Sequence, residues 1–276
     1  LLFAFGVGKA ALMPFHFWLP NAMVAPTPVS ALLHAVAVVK AGVFTILKVS
    51  VYIFGLDLLS ALPMTEIVLG VACFSIVVAS LIALTKDNLK ARLAYSTVSQ
   101  LSYVTAGAML ADGAGAMGAA LQIPMHAVAK MTLFMCAGAI YVATGKTNIS
   151  DMRGLGRKMP IVFTAFLVAS LSIIGVPPLG GSWAKFELMQ GAVDADRIYV
   201  VFVLIGSTLL NVAYLLPIAI LGLMPPKDDG MKVAEFKRPG GAPALTVLPL
   251  SITAIGCFLL FFGVDYIADF MSPALG

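Results

Sequence analysis

GVPPLGGSWAKFE, residues 175–187, interrupts an apolar run that extends from about residue 160 to 192. Pro177 and Pro178 remove backbone donors, and Gly180 and Gly181 add no side chain that would hold a helix, so one regular helix does not cross the run. Lys185 follows the break by four residues. A cation in hydrocarbon costs roughly 3 kcal/mol on insertion scales, and irregular backbone at that depth is tolerated only when buried in protein or lining a cavity. A broken span with a lysine beside it therefore predicts a polar path at mid-membrane.

The composition around this stretch agrees. Of 276 residues, 61% are hydrophobic and 11% charged, with a mean hydropathy of +1.02, which is too apolar for a soluble domain of this length. Windows of about 20 apolar residues, long enough to cross a bilayer core, fall roughly at 29–54, 63–84, 89–111, 115–143, 160–192, 198–224 and 243–263, after a partial span at 1–13. The expected fold class is an all-α polytopic membrane protein with about seven or eight transmembrane helices, two of them discontinuous. The chain begins without methionine inside an apolar run, which reads as a fragment lacking its N-terminal part.

The other discontinuity is MPFHFWLPNAMVAPTPVS, residues 13–30, where Pro14, Pro20, Pro26 and Pro28 forbid one regular helix. Paired breaks in corresponding positions are the sequence pointer to a transport site in an inverted-repeat transporter. Each break has a lysine beside it, Lys9 and Lys185.

Charge sets the orientation. Connections alternate in sign: Lys86, Lys90 and Arg92, then Asp112, then Lys146, Arg153, Arg157 and Lys158, then Asp194 and Asp196, then Lys227, Lys232, Lys237 and Arg238, then Asp265 and Asp269. Of 17 Lys and Arg, 11 fall in the three basic connections, which the positive-inside rule places in the cytoplasm. By this rule the first broken segment runs outside to inside and the second inside to outside. The net charge of +4 is thus an orientation signal, and nothing suggests nucleic-acid binding. Cys73, Cys136 and Cys257 show no paired spacing, so no disulfide framework or metal site is expected. No phosphate loop or nucleophile triad is present, no cofactor is expected, and a haem reading of His34 and His126 lacks a Cys-x-x-Cys-His.

Five lysines lie in or beside the apolar runs. His126 and Lys130 are four apart, share a helical face and follow Pro124, which frees a backbone carbonyl and favours local hydration. Histidine titrates near neutrality, and the pair suits proton passage better than packing. Lys185 reads as a proton station, with a structural counter-charge to carbonyls freed by the break as its competing role. Lys9 is similar, while His34 and Lys40, six apart on different faces, are relay candidates beside a buried, satisfied histidine as the plain alternative. Lys48 sits near a helix end and is expected to snorkel. His16 reads as a packing residue between prolines, and Glu66 as a partner of its helix dipole. Ser96, Thr97, Ser99 and Gln100 suit hydrogen bonds across helices and a structural role.

Four runs in order carry a resemblance: FGVGKAALMPFHFWLPNAMVAPTPVSALLHA (5–35), KDNLKARLAYSTVSQLSY (86–103), HAVAKMTLFMCAGAI (126–140) and GVPPLGGSWAKFELMQGA (175–192). Over about residues 1–224 the chain resembles the antiporter-like proton-translocating membrane subunits of respiratory complex I, membrane-bound hydrogenases and Mrp-type sodium/proton antiporters. The resemblance implies about fourteen helices with two inverted five-helix repeats, of which 1–54 is the end of the first, 63–224 the second, and 225–276 a cytoplasmic loop and terminal helix. It implies that Lys9, His34, His126, Lys130 and Lys185 match the family's polar relay positions, with the glutamate partner of Lys9 lying upstream.

HAVAVVKAGVF (34–44), GVPPLGGSWAKF (175–186) and STLLNVAYLLPI (207–218) look more like the Mrp D-type subunit than the complex I subunits. The expected function is accordingly a subunit of a multisubunit monovalent cation/proton antiporter in a bacterial plasma membrane. Its expected partners are other membrane subunits, lipid, protons and sodium. The alternative is a proton-pumping subunit of complex I or a membrane-bound hydrogenase.

Overall fold

The computed structural model describes residue 3, residues 6–225 and residues 242–275; the side chains of His34, Ala274 and Leu275 are not among the described parts. The basic connection of Lys227, Lys232, Lys237 and Arg238 lies outside the described residues. The described residues form helices and turns, and the one strand-like feature among them is an isolated bridge between Asn88 and Asn148.

The predicted windows correspond to helices. We label α1 Thr27–Ala31, α2 Val38–Val49, α3 Pro63–Thr85, α4 Leu89–Met109, α5 Gly113–Thr144, α6 Pro160–Ile174, α7 Gly181–Asp194, α8 Ile198–Leu223, α9 Ala244–Phe262 and α10 Val264–Leu275. Of these, α3, α5, α8 and α9 are long and apolar enough to cross a membrane. The break at 175–180 divides the 160–192 run into α6 and α7, as its prolines and glycines predict. The 29–54 run is more irregular than its composition suggests: wide π-helical turns at Leu32–Val36 and Ser50–Phe54 flank α2.

The arrangement is inside-out relative to a soluble bundle. The most polar long helix, α4, is buried along almost its whole length, including Ser96, Thr97, Ser99, Gln100 and Ser102. It packs between α3 and α5, while Phe74 and Leu81 of α3, Phe202 and Leu209 of α8, and Ile252 and Leu259 of α9 face outward. In lipid, polar side chains face the bundle interior, and exposed apolar ones cost nothing.

The helix ends sort by charge. Asn88 caps α4 by accepting from Ala91 N at 3.1 Å, and Asp112 caps α5 by accepting from Ala114 N at 2.9 Å. The basic segments 86–92 and 146–158 lie together, joined by Leu89 N to Thr147 O at 3.0 Å and Ile149 N to Asp87 O at 2.9 Å. Arg153 adds the far end of α8 to this cluster through Pro225 O at 2.9 Å. At the opposite end Arg197 pairs with Glu66 and donates to Leu110 O. Glu66 does occupy the first turn of α3, and its role extends beyond the helix dipole to this clasp.

Glycines set the closest approach. A Cβ at Gly118 would lie 2.6 Å from Leu188 N, and one at Gly191 would lie 2.2 Å from Gly115 N, so α5 and α7 meet backbone to backbone. This contact fixes where α7 presents Lys185.

Candidate functional site

Three lysines are buried in the interior: Lys40 at 6% exposure, Lys130 at 0% and Lys185 at 5%. Among the described residues the ion pair within 4 Å is Glu66–Arg197, so no described carboxylate neutralises these lysines. Their nitrogens instead meet neutral acceptors.

Lys40, on α2, places Nζ 2.6 Å from Nδ1 of His126 on α5. A lysine ammonium can donate to a neutral imidazole, and an imidazolium can donate back to a neutral amine, so this bond accommodates one shared proton. His126 and Lys130 lie on one face of α5 as predicted, yet they take different partners. Lys130 Nζ donates to Ser96 Oγ at 2.7 Å and to Leu93 O at 3.1 Å, both on α4. Lys40 and Lys130 are near enough for their charges to interact.

Lys185 stands where the two half-helices meet. Gly175 ends α6 with φ +91°, in the left-handed region that glycine adopts freely. The turn consumes the carbonyls of Leu171 and Ser172, while Ile174 O accepts from Lys185 Nζ at 2.8 Å. The counter-charge role weighed from sequence is therefore present in the geometry. It does not exhaust the lysine: Nζ also donates to Thr208 Oγ1 at 3.0 Å and lies 5.5 Å above the Tyr103 ring. A Cβ on Gly175 would lie 2.9 Å from Lys185 Cδ, so this glycine also leaves room for the side chain to pass.

The other candidates are not joined to this set. Lys9 is exposed, with its backbone against Gly42 of α2. His34 lies in the π turn before α2, and its side chain is outside the described residues. Lys48 is exposed, 5.9 Å above the Phe44 ring. His16 is buried beside Phe17 and Tyr95. A cavity of about 960 Å³ between α1, α5 and α9 contains none of the three buried lysines.

Sequence reasoning missed the polar groups on α8. Ser207, Asn211 and Tyr214 are all fully buried, and their spacing of four and three places them on one helical face. Tyr214 donates to Asn211 Oδ1 and lies 2.9 Å from Ser96 Oγ. The signal was a polar stripe in an otherwise apolar helix.

The family described as NADH:quinone oxidoreductase/Mrp antiporter, TM, matches residues 1–211. NAD(P)H-quinone oxidoreductase chain 5 of Synechocystis sp. is 38% identical over 207 residues, covering 71% of this chain and 29% of that protein. The chain thus spans less than a third of that relative's length. Among solved structures, the Mrp complex from Dietzia sp. superposes with a TM-score of 0.86 at 22% identity, covering 99% of this chain and 57% of the other. Respiratory complex I from Thermus thermophilus gives 0.73 at 24% identity, covering 95% and 56%. At those identities the structural likeness concerns the fold.

Proposed function

This chain belongs to the NADH:quinone oxidoreductase/Mrp antiporter membrane family, and from that premise we propose that it carries protons within a multisubunit membrane complex along Lys40, His126, Lys130 and Lys185. One observation carries the reading: three buried lysines hold neutral acceptors in place of described carboxylates. Uncompensated cations at membrane depth are expensive and are retained where charge moves.

The path begins at the Lys40–His126 pair, where one proton shifts between nitrogens 2.6 Å apart. Like charges repel strongly in low dielectric, so a proton arriving at Lys40 favours onward movement of one held at Lys130. Lys185, at the junction of α6 and α7, is the last described station. Lys9 and His34 match family positions near the other break and are the candidates for extending this path.

The setting we favour is a quinone oxidoreductase, because the 38% identical relative carries that name. Redox chemistry would then reside in other subunits. The second reading, a sodium/proton antiporter subunit in a bacterial plasma membrane, is favoured by the Mrp-like runs 34–44, 175–186 and 207–218.

The test is proton flux in vesicles containing the full-length protein in its complex, driven either by NAD(P)H with a quinone or by a sodium gradient. Lys130→Ala and Lys185→Ala are expected to lower flux at least tenfold with assembly intact. Wild-type flux in both variants would reject the path. The driving force that supports flux selects between the settings.

A further inference from the structure

Lys130 and Lys185 have separate first acceptors, Ser96 on α4 and Thr208 on α8. A succession of hydroxyl groups lies between them. Tyr214 Oη is 2.9 Å from Ser96 Oγ and also faces Ser80 of α3. Ser80 Oγ lies 3.3 Å from Ser207 Oγ, with Ser99 Oγ bracing it at 2.9 Å. The Tyr103 hydroxyl is buried in the same group as Ser207 and Thr208 without a hydrogen bond to either, and Thr208 Oγ1 is 3.0 Å from Lys185 Nζ. Ser80, Ser96, Ser207, Tyr103 and Tyr214 are all fully buried.

From this succession we infer that α8 and α3 complete a hydroxyl relay, Ser96–Tyr214–Ser80–Ser207–Tyr103–Thr208, that passes a proton between Lys130 and Lys185. The inference rests on the proton path proposed above and names how two of its stations communicate.

Packing alone does not account for the pattern. A buried serine satisfies itself on the carbonyl one turn back, as Ser102 does with Val98 O at 3.0 Å. Tyr103 has no such recourse: its hydroxyl is buried among Ser207, Thr208, Gln100 and Asn211 and closes no hydrogen bond to them. A phenylalanine would fill that place without burying an unsatisfied oxygen.

The proton count closes. The ammonium of Lys130 gives one proton to Ser96 while each hydroxyl passes its own hydrogen to the next oxygen, and the amine of Lys185 takes the last one. Every bridging oxygen ends with one hydrogen, now on its other side, and must rotate before the next passage. Asn211 is a positioning residue: its Oδ1 accepts from Tyr214, which holds that hydrogen off the line to Ser80. Ser80 is likewise turned to Ile76 O at 2.8 Å. Rotation of these two hydroxyls opens the relay.

The experiment compares Tyr103→Phe and Tyr214→Phe with Lys130→Ala and Lys185→Ala in the full-length protein in its complex, measuring proton flux at matched assembly. Each phenylalanine variant is expected to lose tenfold or more, and Ser207→Ala to fall between these variants and wild type. In parallel, 3-fluorotyrosine placed at Tyr103 keeps the shape and the hydroxyl but makes the phenol more acidic. The flux should then change its pH profile, which a hydroxyl that only packs would not cause. Wild-type flux in both phenylalanine variants beside inactive lysine variants overturns the relay and leaves the lysine path standing. Active lysine variants overturn the path itself. If the phenylalanine variants fail to assemble, the fluorotyrosine arm decides alone, and an unmoved pH profile rejects the relay.

Discussion

Lys40 Nζ and His126 Nδ1 are 2.6 Å apart, a bond between residues separated by 86 positions in the chain. The pair holds one proton between two bases, each of which gains from the other as acceptor. Removing either base removes the bond they share, so the two losses overlap. Lys40→Ala and His126→Ala are each expected to reduce proton flux about tenfold or more, and the double variant to be no worse than the more affected single. Losses that multiply in the double variant would show that the two residues act separately.

Lys185 tests whether the junction needs a titrating group or a fixed cation, since Nζ serves both Ile174 O and Thr208 Oγ1. A glutamate that binds and releases a proton there can donate to the Ile174 carbonyl when protonated. Lys185→Glu is therefore expected to keep partial flux with a shifted pH optimum, and Lys185→Met to keep none. If the ammonium only neutralises the carbonyl, glutamate does more damage than methionine through like-sign repulsion. Flux measured for both across about pH 6 to 9, spanning the range in which a perturbed carboxyl or amine titrates, separates the cases.

The spans, the broken helix at 175–180 and the burial of Lys130 and Lys185 were all legible in the sequence, because hydropathy windows and proline-glycine breaks are local signals. The partners of the buried lysines were not. His126 and Lys130 share a face of α5, yet one bonds α2 and the other α4, a division set by which helices pack on either side. Ser96 and Ser99 looked like helix glue when read within their own segment. Their polar contacts run to Tyr214 and Ser207, more than 100 positions later in the chain. Lys9 illustrates the reverse: its sequence environment resembles that of Lys185, but its side chain is exposed in the described structure.

Charge is sorted between the two ends of the bundle. The segments 86–92 and 146–158 are tied together by backbone hydrogen bonds, while Asp112 caps α5 at the end where Arg197 meets Glu66. We propose that the basic end faces the cytoplasm: a cysteine replacing Arg153 should then react only with reagents that reach the cytoplasm, and one replacing Asp112 only from outside. Labelling of the Arg153 position by an impermeant reagent in sealed cells would invert this assignment.

The contact between α5 and α7 connects packing to transport. Gly118 leaves no room for a side chain, since a Cβ would stand 2.6 Å from Leu188 N and 2.9 Å from Leu188 Cγ. Because the nearest atom is backbone, Gly118→Val cannot be absorbed by a rotamer change and must push α7 away from α5. Overpacking of this kind costs about 1–3 kcal/mol, and the displacement draws Lys185 from Thr208. Gly70 of α3 is the control: a Cβ there meets nothing within 4 Å, so Gly70→Ala adds helix propensity at no steric cost. Gly118→Val should lower both the melting temperature of the purified complex and its proton flux, with Gly70→Ala matching or slightly exceeding wild-type stability at unchanged flux. A Gly118→Val complex with wild-type melting and flux would show that α7 can shift without moving its lysine off station.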